Sequence, residues 1–299
     1  MQVPKNILLF SIDFEDIRFL VPHGMKYRQS VPQMTAQFLE FLQERKSKAT
    51  FFVVGNTVAL YSSLLKEIIA EGHEIGCHTH THVPLDQHIK GSFRDDMRRN
   101  LDALNNIGAK NIYGFRAPGL SITEKTQWAY EVLVELGFRY SSSVMATDSA
   151  FHGWPEFREE FKKVTTQLPS NAGVIWELPP TLLSNRYFNV PFASSIYFRF
   201  LPWFITKRAF QKKFKQGLPV ISYFHPFDLD YEQEKFMHPG VNENRIYNFL
   251  MRYNRKGMLQ KLKKSLPEDY TIMPHYEYLQ RYLEKEAIEK VILQETVIV

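Results

Sequence analysis

Apolar residues in this chain gather into short runs, and most of the runs stop at a residue able to do chemistry. Residues 7–12 are free of charge and close on Asp13. Residues 49–55 (Ala-Thr-Phe-Phe-Val-Val-Gly) are β-rich and end at glycine. Residues 73–77 feed His78, residues 112–115 reach Arg116, residues 174–178 stop at Pro179-Pro180, and residues 220–224 reach His225. Runs this short and this apolar read as buried strands. Between them the spacing turns helical. In 31–44, Val31, Met34, Phe38, Leu39 and Leu42 share one face. Residues 62–71, 93–107 and 124–136 are helical and are followed by Gly72, Gly108 and Gly137. Residues 199–216 read as helix apart from Pro202, 242–266 as a helical hairpin or one long helix, and 276–299 as helix followed by a loose tail.

Alternating strands and helices predict parallel βα units. Six to eight strands suit a closed or partly closed barrel of α/β class, and 299 residues with 44% hydrophobic content suit one large core. The expected organisation is one barrel domain over 1–285 and a tail over 286–299. The stretch 141–169 predicts a long loop, a length that usually serves function.

Charge and cysteine content narrow the setting only slightly. A net charge of +5 is compatible with anionic substrates or membrane surfaces. The single cysteine, Cys77, excludes an internal disulfide, and beside His78 it reads as a small buried residue. No signal-peptide pattern opens the chain, and no apolar run is long enough to span a bilayer, so a cytoplasmic location is expected. No nucleic-acid-binding pattern is present, so no nucleic-acid partner is expected.

The chemistry collects at the strand ends. His78 and His82, placed on a helical turn, would lie on one face and reach one ion. Two histidines with a carboxylate and an open position make a zinc-type hydrolytic site. Asp13 and Glu15 are two apart, so a strand points them the same way, while Asp16 can turn inward once the strand ends. One carboxylate would bind the cation and the other take a proton from water. Arg116 at a strand end suits pairing with a catalytic aspartate. His225 suits protonation of a leaving amine or support of an oxyanion. His80 is expected to turn elsewhere.

The order of these pieces closely resembles the polysaccharide deacetylase family (carbohydrate esterase family 4, the NodB-homology domain). The resemblance runs over roughly residues 6–230 and rests on the acidic end of the first strand, His78-Thr79-x-x-His82, Phe115-Arg116-Ala117-Pro118 and His225-Pro226. It implies a distorted (β/α)7-type, TIM-like barrel, a divalent metal (most often zinc) and hydrolysis of an N-acetyl amide. Residue by residue, it implies Asp13 as general base, His78 and His82 as metal ligands, Arg116 as the residue orienting the base, and His225 as general acid. The third ligand would be Glu15 or Asp16, since Phe14 stands where many members carry a second aspartate. The aspartate that often supports the acid histidine is replaced by serine within Ser141-Ser142-Ser143, leaving Asp228 or Asp230 for that task.

Asp13-x-Glu15-Asp16, Trp176-Glu177-Leu178-Pro179-Pro180 and the segment 197–202 more nearly resemble a cytoplasmic branch linked to exopolysaccharide and surface-glycan biosynthesis. The expected substrate is therefore an N-acetylated sugar or glycan precursor, free or lipid-linked, in surface polysaccharide or lipopolysaccharide assembly. Two other readings stand beside it: an allantoinase-like or cyclic-imide hydrolase working without metal, and a glycan-binding barrel without catalysis. Residues 192–215 interleave aromatic and basic side chains, which suits a barrel helix with solvated lysines or a helix lying at a membrane surface.

Overall fold

The computed structural model describes residues 5–149, 152–158, 160–167, 172–185, 188–239, 241 and 243–284; the expected tail at 286–299 lies outside them. The strands are β1 Ile7–Phe14, β2 Thr50–Val53, β3 Glu74–Cys77, β4 Gly114–Phe115, β5 Tyr140–Ser141, β6 Lys162–Gln167, β7 Ala172–Glu177, β8 Leu183–Ser184, β9 Asn189–Val190, β10 Val220–Phe224 and β11 Thr271–Met273. The helices are α1 Val31–Gln43, α2 Ser62–Ala70, α3 Lys90–Asn106, α4 Ala129–Glu135, α5 Ser195–Phe200, α6 Trp203–Lys215, α7 Arg245–Leu250, α8 Met258–Ser265 and α9 His275–Tyr278.

Seven strands follow one another in parallel, in the order β10-β1-β2-β3-β4-β5-β7. β6 folds back antiparallel on β7 at the edge. β11 pairs with Ile7–Leu9 of β1, below the part of the same edge that β2 occupies. Between β7 and β10, the chain after β7 comes back to the sheet: Thr181 N–H donates to Ile221 O at 3.3 Å, and Thr181 Oγ1 accepts from Ile221 N–H at 2.8 Å. The result is the expected distorted barrel, with hydrogen bonds rather than a full ladder across its seam.

β1 shows why the sequence builds a site here. All eight of its residues are buried, as a parallel strand between helices and barrel interior requires. Leu8, Phe10, Ile12 and Phe14 pack outward with Phe38, Leu42 and Phe224. The alternate positions are Ile7, Leu9, Ser11 and Asp13, so the inner face turns polar towards the strand's C-terminal end.

Several expectations shift in detail. The 199–216 helix is two helices, α5 and α6, broken at Pro202, and α5 begins four residues early. The 242–266 region is the short pair α7 and α8. The long loop 141–169 contains β6.

Candidate active site

The polar inner end of β1 meets three other strand ends. Arg116 follows β4 and is fully buried. Its Nη1 donates to Asp13 Oδ1 and to Ser11 Oγ, both at 2.8 Å. Its Nε donates to Ser142 O at 3.0 Å and its Nη2 to Ser142 Oγ at 2.7 Å. The Phe52 ring lies against the guanidinium at 4.3 Å. A guanidinium with this many fixed partners pins one oxygen of Asp13. The other oxygen, Oδ2, stands 4.0 Å from His78 Nε2 and 3.9 Å from His225 Nε2.

His78 and His82 meet, although not on a helical turn as the spacing suggested. Residues 78–82 have no helix, and Thr79 and His82 both take left-handed backbone conformations, each with φ 58°. Thr79 Oγ1 accepts from His82 N–H at 3.0 Å, and Asp96 accepts from His80 N–H and Thr81 Oγ1 at 2.6 and 2.7 Å. The two imidazoles lie 4.9 Å apart, centre to centre. His80 turns aside onto Gly55, where an added Cβ would meet His80 Nδ1 at 2.3 Å.

His78 Nδ1–H donates to Arg116 O at 2.7 Å, which leaves Nε2 unprotonated and facing the site. Burial pushes its pKa down to about 4, so the ring is neutral at neutral pH. Glu15 sits just past β1, with Oε2 2.6 Å from His82 Nε2. That contact lacks hydrogen-bond geometry, so Oε2 is a buried carboxylate oxygen without a hydrogen-bond partner among the described residues. Burial opposes ionisation of Glu15, but His82, His225 and His78 outweigh it and hold the carboxyl well below its ordinary range. Donor atoms of Glu15, His78 and His82 all fall within 4.8 Å of one another. Two imidazoles and an orphaned carboxylate oxygen fit a divalent cation.

Asp16, the alternative ligand, turns away. It accepts from Arg18 N–H at 3.0 Å and from Arg18 Nη2 at 2.6 Å, and it takes the Tyr61 hydroxyl. Asp230 is likewise occupied, by an ion pair with Arg28.

His225 follows β10. Its Nδ1–H and its backbone N–H both donate to Asp228 Oδ2, at 3.0 and 2.9 Å. The imidazole stacks on Phe227 at 4.5 Å. Burial would lower its pKa, yet the Asp228 hydrogen bond and the Glu15, Asp228 and Asp13 carboxylates raise it to about 9. Asp228 Oδ1 is held by Arg199 Nε and the Ser195 hydroxyl, at 3.0 and 2.9 Å. Burial works against the Asp228 carboxylate, while Arg199 and His225 keep it far below its usual value.

The residues expected from sequence therefore converge, Asp16 excepted, and Asp228 rather than Asp230 supports His225. Sequence reasoning missed Arg199, Ser195 and Ser142, and assigned no role to Glu177 or His238. Glu177 accepts from Ser143 and Val144 N–H at 2.6 and 3.0 Å, fixing the turn that holds Arg116. The echo at Trp176-Glu177-Leu178 was the available signal for it.

The polysaccharide deacetylase family model matches residues 13–141, which contain Asp13, Glu15, His78, His82 and Arg116. These residues form a polysaccharide deacetylase domain. The model of a domain of unknown function (DUF3473) matches residues 142–279. That second stretch is no separate body. It adds β7, β10 and β11 to the deacetylase sheet and carries Ser142, Arg199, His225 and Asp228. Among curated relatives, a peptidoglycan-N-acetylglucosamine deacetylase of Bacillus cereus is 31% identical over 105 residues, covering 35% of this chain and 38% of that protein. The chain thus matches little more than a third of that relative's length.

Two solved structures share the fold. A protein described as a probable polysaccharide deacetylase from Pseudomonas aeruginosa PAO1 gives a TM-score of 0.56 at 13% identity, over 93% of this chain and 92% of that one. Puue allantoinase gives 0.57 at 13% identity, again over 93% and 92%.

Proposed function

We propose that this deacetylase-family chain is a metal-dependent N-deacetylase that removes the acetyl group from an amino sugar. One observation carries the reading: the free oxygen of Asp13 and Nε2 of His225 face each other at 3.9 Å beside the Glu15–His78–His82 trio. Glu15, His78 and His82 would hold the cation, with zinc the natural choice for two imidazoles and a carboxylate. When bound, the cation supplies Lewis-acid chemistry, polarising the acetamide carbonyl and acidifying a water.

This chain's own residues do the rest. Arg116 fixes Asp13 Oδ1, so Oδ2 is the atom that accepts the proton of the attacking water. His225, charged below about 9, gives its Nε2 proton to the departing amine, while Asp228 holds the opposite side of the ring. Acetate and a free amino sugar leave. We place the substrate among surface-glycan precursors because of the family branch that the motifs resemble.

The fold alone does not separate this reading from an allantoinase-like one, since both neighbours score alike. The metal trio favours the deacetylase. The test is acetate release from N-acetylglucosamine oligomers by zinc-loaded protein, abolished in Asp13→Asn. Hydrolysis of a cyclic amide by metal-stripped protein, with no acetate from any N-acetylated sugar, would overturn it.

A further inference from the structure

Half of the exposed large hydrophobic side chains in the described residues lie in one place. Tyr197, Phe200, Trp203 and Phe204 come from α5 and the start of α6; Ile246, Tyr247, Phe249 and Tyr253 come from α7 and the turn after it. They adjoin in space. Phe200 lies 6.2 Å from Tyr253, Tyr253 5.7 Å from Phe249, and Tyr197 is near Tyr247. Ile246, Phe249 and Phe200 are the most open of them, at 73, 62 and 57% exposure, an arrangement that costs free energy in water unless something covers it.

The charge around this patch is one-sided. Residues 195–216 and 244–265 together hold thirteen lysines and arginines and no aspartate or glutamate, although the whole chain nets only +5. Arg199, Arg255 and Lys261 point inward to backbone carbonyls. Lys207, Arg208, Lys212 and Lys215 follow Trp203 and Phe204 at steps of three and four along the outer face of α6, whose buried side is Thr206, Ala209, Phe210 and Phe214. α8 packs beside α6 through the Thr206–Ser265 hydroxyl pair and adds Lys264.

We propose that this aromatic and basic face docks on an anionic lipid bilayer surface. Aromatic rings at the headgroup level with cations around them match such a surface in both apolarity and charge. A second copy of the chain is a poor occupant, because a two-fold contact would set this strongly basic face against itself. The patch is tied to the site. Arg199, which holds Asp228 behind His225, also donates to the carbonyls of Leu250 and Met251 at the end of α7. No helix among the described residues is long and apolar enough to cross a membrane.

The proposal goes beyond the deacetylase reading and is tested without any sugar. The full chain is sedimented with vesicles of phosphatidylcholine alone or mixed with phosphatidylglycerol. It should bind the anionic vesicles and be released as salt rises. Arg208→Glu with Lys212→Glu, both exposed, should weaken binding about tenfold or more. Trp203→Ser with Phe204→Ser should do the same, with an unchanged Tm and unchanged turnover of soluble substrate. Absence of binding at low salt, or equal binding by both variants, overturns the proposal. So does loss of vesicle binding to competing nucleic acid at equal charge, or a dimer that the Trp203→Ser variant dissolves.

Discussion

Asp228 binds His225 twice through one oxygen, taking the ring Nδ1–H at 3.0 Å and the backbone N–H at 2.9 Å. The ring therefore cannot rotate without losing its partner, and Nε2 stays directed at Asp13. Because the folded pKa of His225 is raised to about 9, the acid form prevails at neutral pH and is lost as pH rises through that value. Its stabilising contribution follows the same sign: complete below the ordinary histidine value near 6.5 and gone above about 9. Asp228→Asn should shift the alkaline limb of kcat towards lower pH and reduce kcat by about 100-fold or more. A pH–rate profile of the two proteins checks this; an unmoved alkaline limb would count against His225 as the acid.

Glu15 and Asp16 are neighbours with opposite tasks, and substitution should separate them. Glu15→Gln removes an orphaned buried oxygen from the His78–His82 trio. Metal affinity should fall by more than the roughly 10–100-fold typical of losing an outer-shell partner. Asp16→Asn disturbs the Arg18 and Tyr61 hydrogen bonds instead. It should keep the metal and lower stability by about 1–3 kcal/mol. Metal titration and thermal melts of both variants distinguish the two.

Much of this site was legible because most of the apolar runs stop at the residue that matters, as 7–12 does at Asp13 and 220–224 at His225. The approach of His82 to His78 was legible in outcome but not in geometry. Left-handed φ angles at Thr79 and His82 leave no mark in a sequence without glycine or asparagine there. β5 and β11 escaped because two or three residues show no periodicity, and β6 because its alternation is mostly polar and exposed. Arg199 escaped because, read as part of a helix, it looks like one more surface cation, whereas it is fully buried against Asp228.

Glu177 acts on Asp13 at a distance, through the Ser142–Val144 turn and then Arg116. Burial raises its pKa, and Tyr130 donates to its second oxygen at 3.1 Å. Glutamine keeps both an acceptor and the shape, so Glu177→Gln should retain most activity. Glu177→Ala frees the turn and should lower kcat by as much as about 100-fold with little change in KM, as misplacement of a catalytic group does. Steady-state kinetics of both variants, beside a melt showing that each is folded, checks the positioning role.

His238 packs edge-on against Phe227, the ring on which the acid histidine stacks, with the His238 and Phe227 centres 5.5 Å apart. Its Nδ1–H donates to Pro239 O at 2.7 Å, and burial pushes its pKa down to about 4. It is thus a neutral ring whose Nε2 carries a lone pair, buried and without a partner among the described residues. A buried acceptor left unmade is costly unless something fills it, and a sugar offers hydroxyl donors. His238→Ala should therefore raise KM for an N-acetylglucosamine oligomer by about 2–10-fold, the worth of one neutral hydrogen bond, with kcat nearly unchanged. His238→Gln, which presents an acceptor at similar reach, should recover part of the loss. A fall in kcat or Tm with unchanged KM would instead make the ring a packing element behind Phe227.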